Sequence, residues 1–104
     1  MVITQVFRMR TRQGAKAADI IAIAKAAKNL ILHHGAFAAG MDQVYFGTGL
    51  ADWIFTARWP TFTEYGKAIE SLTTDPAFIA LMSELQQHVS FEERFLLNKI
   101  VMDD

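Results

Sequence analysis

Histidine is the side chain whose ordinary pKa lies nearest neutrality, so a search for a general base begins with His33, His34 and His88. The pair His33-His34 ends an apolar-periodic stretch, immediately before Gly35. Imidazolium suits the C-terminal end of a helix dipole, so a capping or surface role competes with catalysis there. His88 closes a second such stretch, and the three histidines show no H-x-x-x-H spacing, so no metal site is expected. Gln43, Tyr45, Arg58 and Trp59 lie on strand-like segments and are better placed to line a pocket. An amide and a guanidinium buried on strands must find partners, and a bound anion is one. Arg58 satisfies the same rule by pairing with Glu92 or Glu93, or by reaching solvent. The candidate catalytic groups are therefore His33, His34 and Tyr45, and the candidate substrate contacts are Gln43, Tyr45, Arg58 and Trp59.

The segment from Trp53 to Trp59 is the clearest positioning element. Trp53, Phe55, Ala57 and Trp59 alternate with Ile54, Thr56 and Arg58, the period of a strand with two different faces, and Trp53 and Phe55 are expected in the core. Pro60 lacks a ladder donor and ends the strand. Thr61 and Glu64 then form a T-x-x-E capping box. The following helix carries Phe62, Tyr65, Ile69 and Leu72 on one stripe. Thr73-Thr74-Asp75-Pro76 interrupts it, with Asp75 as cap and Pro76 in the first turn of a new helical segment that continues through Phe78, Leu81, Met82 and Leu85.

The chain begins with a strand over 2–10, Ile3, Phe7 and Met9 on one face and Val2, Thr4, Val6 and Arg8 on the other. Gly14 supplies a turn, and a helix over 15–33 buries Ile20, Ile23, Ala24, Ala27, Leu30 and Ile31, with Gly35 as its left-handed cap. A second strand over 36–46 has Gly40 as a bulge or close approach, and Gly47-Thr48-Gly49 turns it into the Asp52–Trp59 strand. A last strand spans 91–101. The order βαββαβ predicts an α+β, ferredoxin-like fold: a four-stranded antiparallel sheet, order 4-1-3-2, with helices on one face.

A length of 104 residues at 52% hydrophobic fits one domain spanning 1–104. Ten basic against eleven acidic residues, without like-charge runs, argue against nucleic acid as a partner. The most apolar stretch, Ala17 to Leu32, is broken by Asp19, Lys25, Lys28 and Asn29, so no membrane span is expected. Absent cysteine excludes disulfides and thiolate chemistry, and with no charged leader at the N-terminus it predicts a cytoplasmic protein. Both faces of the sheet contain apolar residues, and mean hydropathy is +0.17. A second copy of the same sheet is the economical cover, so a homodimer is expected.

Trp-Ile-Phe-Thr-Ala-Arg-Trp at 53–59, Thr-Phe-Thr-Glu-Tyr-Gly-Lys-Ala-Ile-Glu-Ser-Leu at 61–72 and Asp-Pro-Ala-Phe-Ile-Ala-Leu-Met at 75–82 resemble the dimeric α+β barrel superfamily. The likeness is to its small NIPSNAP-like and antibiotic-biosynthesis-monooxygenase-like members. It implies a dimeric α+β barrel with a small-molecule cavity between sheet and helices in each protomer. Haem-degrading relatives carry a first-strand asparagine and a histidine late in the second helix; this chain has Val6-Phe7-Arg8 and Met82 in those regions, although Trp59 stands where those enzymes have a tryptophan. Haem degradation is therefore disfavoured, and no cofactor is expected. The resemblance implies a cofactor-independent monooxygenase-like enzyme acting on a small aromatic, anionic or polyketide-like molecule. The alternative is a non-catalytic small-molecule-binding or accessory dimer domain.

Overall fold

The structure, a computed structural model, describes residues 2–44 and 52–102. Tyr45 and the Gly47-Thr48-Gly49 turn lie outside the described residues. The elements run β1 (Ile3–Thr11), α1 (Ala17–His33), β2 (Ala38–Gln43), β3 (Trp53–Trp59), α2 (Phe62–Thr74), α3 (Pro76–His88) and β4 (Val89–Asn98). The sheet is four-stranded and antiparallel, with order β2-β3-β1-β4, which is the expected ferredoxin-like order.

Local signals account for most of the boundaries. Gly35 has φ +115°, and the amides of Gly35 and Ala36 donate to the carbonyls of Leu32 and Ile31, closing α1 with a Schellman motif. Gly14, at φ +84°, serves the β1–α1 turn. Thr61 Oγ1 accepts from the Glu64 amide at 3.1 Å, the hydroxyl half of the expected capping box. Asp75 Oδ1 accepts from the Ala77 amide at 2.9 Å, and Pro76 opens a separate helix rather than a continuation. Arg12 closes the far end of α3, its Nε donating to the carbonyls of Gln86 and Val89 at 2.7 and 3.1 Å.

Several expectations need correction. Pairing of β2 with β3 runs without a shift through Gly40, and a Cβ there would meet nothing within 4 Å, so Gly40 is neither bulge nor close approach. The irregularity lies instead between Arg8 and Met9, where β1 meets β4. There β4 carries one extra residue, Glu92, which lets Glu93 face Arg8 while Phe91 faces Met9. β4 begins at Val89, directly from the C-cap of α3, and ends at Asn98. Phe62, the first residue of α2, is 60% exposed although its ring lies beside Tyr65 of the apolar stripe.

Pleating sorts the side chains into two layers. Trp53, Phe55, Ala57 and Trp59 of β3 are buried together with Ile3 and Met9 of β1 against Ile20, Ile23, Ala27 and Ile31 of α1, and against Ala68, Leu72 and Leu85 of the other helices. The register places Thr4, Val6 and Arg8 beside Thr56, Ile54 and Phe95 on the opposite, outer face. Val6 is buried even there, whereas Ile54 and Phe95 are half-buried and Leu97 is exposed. Arg8 pairs with Glu93 at 3.1 Å across that face and lies over the Phe95 ring, while its buried Nε has no acceptor among the described residues. No helix of the described residues is long and apolar enough to cross a membrane.

Candidate functional site

The alternation of β1 puts one amide into an otherwise apolar layer. Ile3, Gln5, Phe7 and Met9 share the helix-facing side, and Gln5 sits opposite Ala57, the smallest residue of the inner β3 row. A cavity of about 50 Å³ opens between the sheet and the helices. Its floor includes Gln5, Phe7, Met9, Met41, Phe55 and Phe91. Its roof comes from Ala24, Ala27 and Ile31 of α1, Ile69 and Leu72 of α2, and Phe78, Met82 and Leu85 of α3. On a measure in which roughly 10–15 Å³ admits one water, and about 150 Å³ admits benzene, the space as it stands is water-sized, and an aromatic guest enters it only as the adaptable side chains of Met9, Met41 and Met82 move aside. Among the described residues Gln5 is the one polar residue lining it.

Trp59 fixes that amide. Its indole Nε1 donates to Gln5 Oε1 at 3.3 Å, and the ring is itself fully buried against Tyr65, centroids 5.9 Å apart. Trp59 thus acts on the cavity through Gln5 and does not line it. A second knot holds the other end of β3. The Thr11 amide donates to Asp52 Oδ2 at 2.9 Å, and Trp53 Nε1 donates to Thr11 Oγ1 at 2.9 Å. The Thr11 amide, then its hydroxyl, hold the Asp52 carboxyl below the usual carboxylate range. Together the two knots pin both ends of β3 to β1, with Phe55 between them in the cavity lining.

The other sequence-predicted site residues are not brought together around this space. Gln43 is exposed at the sheet edge, in an open groove of about 390 Å³ that it shares with Lys25, Lys28 and Trp53. Arg58 stands on the outer face, exposed, its guanidinium 5.4 Å from the Phe37 ring. It does not pair with Glu92 or Glu93, because β1 separates β3 from β4 and those carboxylates engage Arg10 at 3.8 Å and Arg8 at 3.1 Å. His33 is exposed at the end of α1. His34 is half-buried, and its Nε2 donates to Asp75 Oδ2 at 3.3 Å, tying the end of α1 to the start of α3. The Ala77 amide and then His34 hold the Asp75 carboxyl below its ordinary value. His34 is therefore a brace between helices, outside the cavity lining. Among the described residues no cluster of three or more potential metal ligands exists.

Gln5 was the residue that sequence reasoning passed over. The signal was present: in the inner-face series Ile3, Gln5, Phe7, Met9 it is the single polar member.

No family model matches the chain, and no curated protein matches it either. Solved structures do. An uncharacterized NIPSNAP domain protein from Burkholderia xenovorans superposes with TM-score 0.74 at 19% identity, covering 100% of this chain and 99% of that one. SnoaB, a cofactor-independent oxygenase from Streptomyces nogalater, gives TM-score 0.71 at 13% identity over 97% of this chain and 95% of its own. A dimeric ferredoxin-like protein of unknown function from Thermobifida fusca gives 0.65 at 11% identity, covering 93% and 88%. The chain thus has the ferredoxin-like fold of monooxygenase-like and NIPSNAP proteins.

Proposed function

We propose that the protein is a homodimeric, cofactor-independent monooxygenase-like enzyme that holds a small aromatic or polyketide-like molecule between its sheet and helices. The observation that carries this reading is the apolar cavity in which, among the described residues, Gln5 alone is polar, in a fold shared with a cofactor-independent oxygenase. Such a site offers a guest mainly apolar contact, and an electron-rich aromatic substrate can itself reduce oxygen. A ring CH₂ and O₂ then give a ring carbonyl and water, one oxygen atom entering each product, with no external reductant. The protein's part is desolvation and orientation, supplied by the walls of α1 and β3 and by the Gln5 amide. Trp59 supports the site by aligning that amide.

Homodimerisation is supported by the outer face of the sheet. Val6, Ile54, Phe95 and Leu97 form an apolar strip there, the helices of the described residues pack on the other side, and Arg8, opposite Ile54 and over the Phe95 ring, has no acceptor for its Nε among the described residues. A second sheet would cover the strip.

One observation favours the alternative, a non-catalytic small-molecule-binding or accessory domain. No carboxylate, imidazole or phenol lines the cavity among the described residues, so a base for substrate deprotonation is not provided there. Oxygen-electrode traces with a panel of phenols, hydroquinones and cyclic aromatic ketones, run beside fluorescence titrations, separate the readings. Saturable binding with oxygen uptake and an oxygenated product supports the enzyme. Binding without uptake supports the accessory domain, and the absence of binding rejects both.

A further inference from the structure

We propose that the open groove between α1 and β2 is a second ligand site, distinct from the internal cavity, and that it takes an aromatic carboxylate, with the rings on its apolar floor and the carboxylate at Lys25 and Lys28. The site goes beyond the oxygenase reading and does not depend on it.

Size is the first argument. The groove offers about 390 Å³, against about 50 Å³ in the cavity. Since roughly 150 Å³ already takes benzene, the groove has the volume for a bicyclic aromatic as it stands, and the cavity does not. Its floor belongs to the core, with Ala24, Trp53 and Phe55 buried, while Met41 is half-buried and Ile21 is exposed. A ring laid there removes their remaining apolar surface from water.

Charge is the second argument. Lys25 and Lys28 line the groove three residues apart on α1, where like charges repel. Neither forms an ion pair with a described residue. The acids nearest in the chain do not supply the missing charge. Asp19 precedes Lys25 by six residues and does not line the groove. Asp42 alternates to the outer face, opposite Ile54, and Asp52 accepts from the Thr11 amide. Segment 45–51, Tyr-Phe-Gly-Thr-Gly-Leu-Ala, has no charge of either sign. Asp103 and Asp104 come after β4, the strand at the sheet edge farthest from β2. Two cations without a carboxylate, beside an apolar floor, match a guest that carries an anion at one end of a ring system.

Two probes alike in rings and unlike in charge, 2-naphthoate and 2-naphthalenemethanol, test this on the intact chain. Affinities are read by calorimetry at low and high salt. Isoleucine δ1-methyl NMR signals report position, because Ile21 lines the groove alone and Ile69 the cavity alone. Naphthoate should bind about three- to tenfold more tightly than the alcohol at low ionic strength, the worth of two exposed ion pairs. That advantage should vanish in about 1 M salt, and naphthoate should shift Ile21 more than Ile69. Lys25→Met combined with Lys28→Met should equalise the two probes, whereas the corresponding pair of arginines should keep the preference. Both lysines are exposed, so these substitutions leave the core untouched. Equal affinities for the wild type, or a preference that survives the methionine pair, overturn the proposal. A larger shift at Ile69 puts the guest in the cavity, which overturns the groove site and leaves the oxygenase reading standing. No binding of naphthoate overturns the groove site alone, since the oxygen-uptake assay decides the other reading.

Discussion

Filling the cavity from α1 tests whether this space, and not the open groove beside β2, receives the ligand. Ala27 is 3% exposed and lines the cavity, and a leucine there projects three more carbons into it. At about 24 cal/mol per Å³, the 50 Å³ void represents about 1.2 kcal/mol of packing not realised in the native chain. Three added carbons offer up to about 2.4 kcal/mol of transfer free energy, at about 0.8 each. Overpacking in a well-filled core costs about 1–3 kcal/mol, so the two effects nearly cancel. Leucine also suits a helix interior almost as well as alanine. Ala27→Leu should therefore move Tm by less than about 5 °C in either direction, while affinity for an aromatic probe falls at least about tenfold as the guest's volume is taken. Calorimetry for binding and thermal unfolding by circular dichroism read both quantities on one sample. A variant with wild-type stability and undiminished affinity would place the ligand elsewhere and refute the reasoning.

The remaining predictions concern caps, charge and assembly. Thr61→Ala should destabilise by about 1 kcal/mol, because the Glu64 amide loses its acceptor, and chemical denaturation will register it. Asp75 has a folded-state pKa below its ordinary 3.8, so its contribution is present above that value and is lost as pH falls through the lower folded value. Asp75→Asn should accordingly flatten the acid limb of the stability–pH curve, and an unchanged limb would remove Asp75 as its source. In solution the protein should sediment as a dimer at micromolar concentration, burying more than about 1,200 Å²; Phe95→Asp on the outer face should yield a monomer with unchanged helicity. Haem should give no sharp Soret band that depends on a single histidine, since no histidine lines the cavity.

Much of the architecture was legible locally. Alternation over 53–59, the caps at Thr61 and Asp75, and Gly35 after the histidine pair depend on interactions within a few residues, and each stands where the sequence puts it. The Gly40 bulge failed for a reason of the opposite kind. Strand regularity belongs to a pair of strands, and the bulge arose where β1 meets β4, some 80 residues apart, with no glycine to mark it. The site was harder still. Gln43, Arg58 and Trp59 share strand character, but a pleat sends successive side chains to opposite faces, and only the packed layers tell which face is inside. Arg58 therefore stands outside while Trp59, its neighbour, is buried. The sequence by itself determined the order of elements, their caps and the two-faced pattern of each strand, because these follow from backbone chemistry and side-chain period. Tertiary structure alone decided that Gln5 and Trp59, distant in the chain, meet beneath three helices, since a hydrogen bond of that kind exists only once non-local strands have chosen their register.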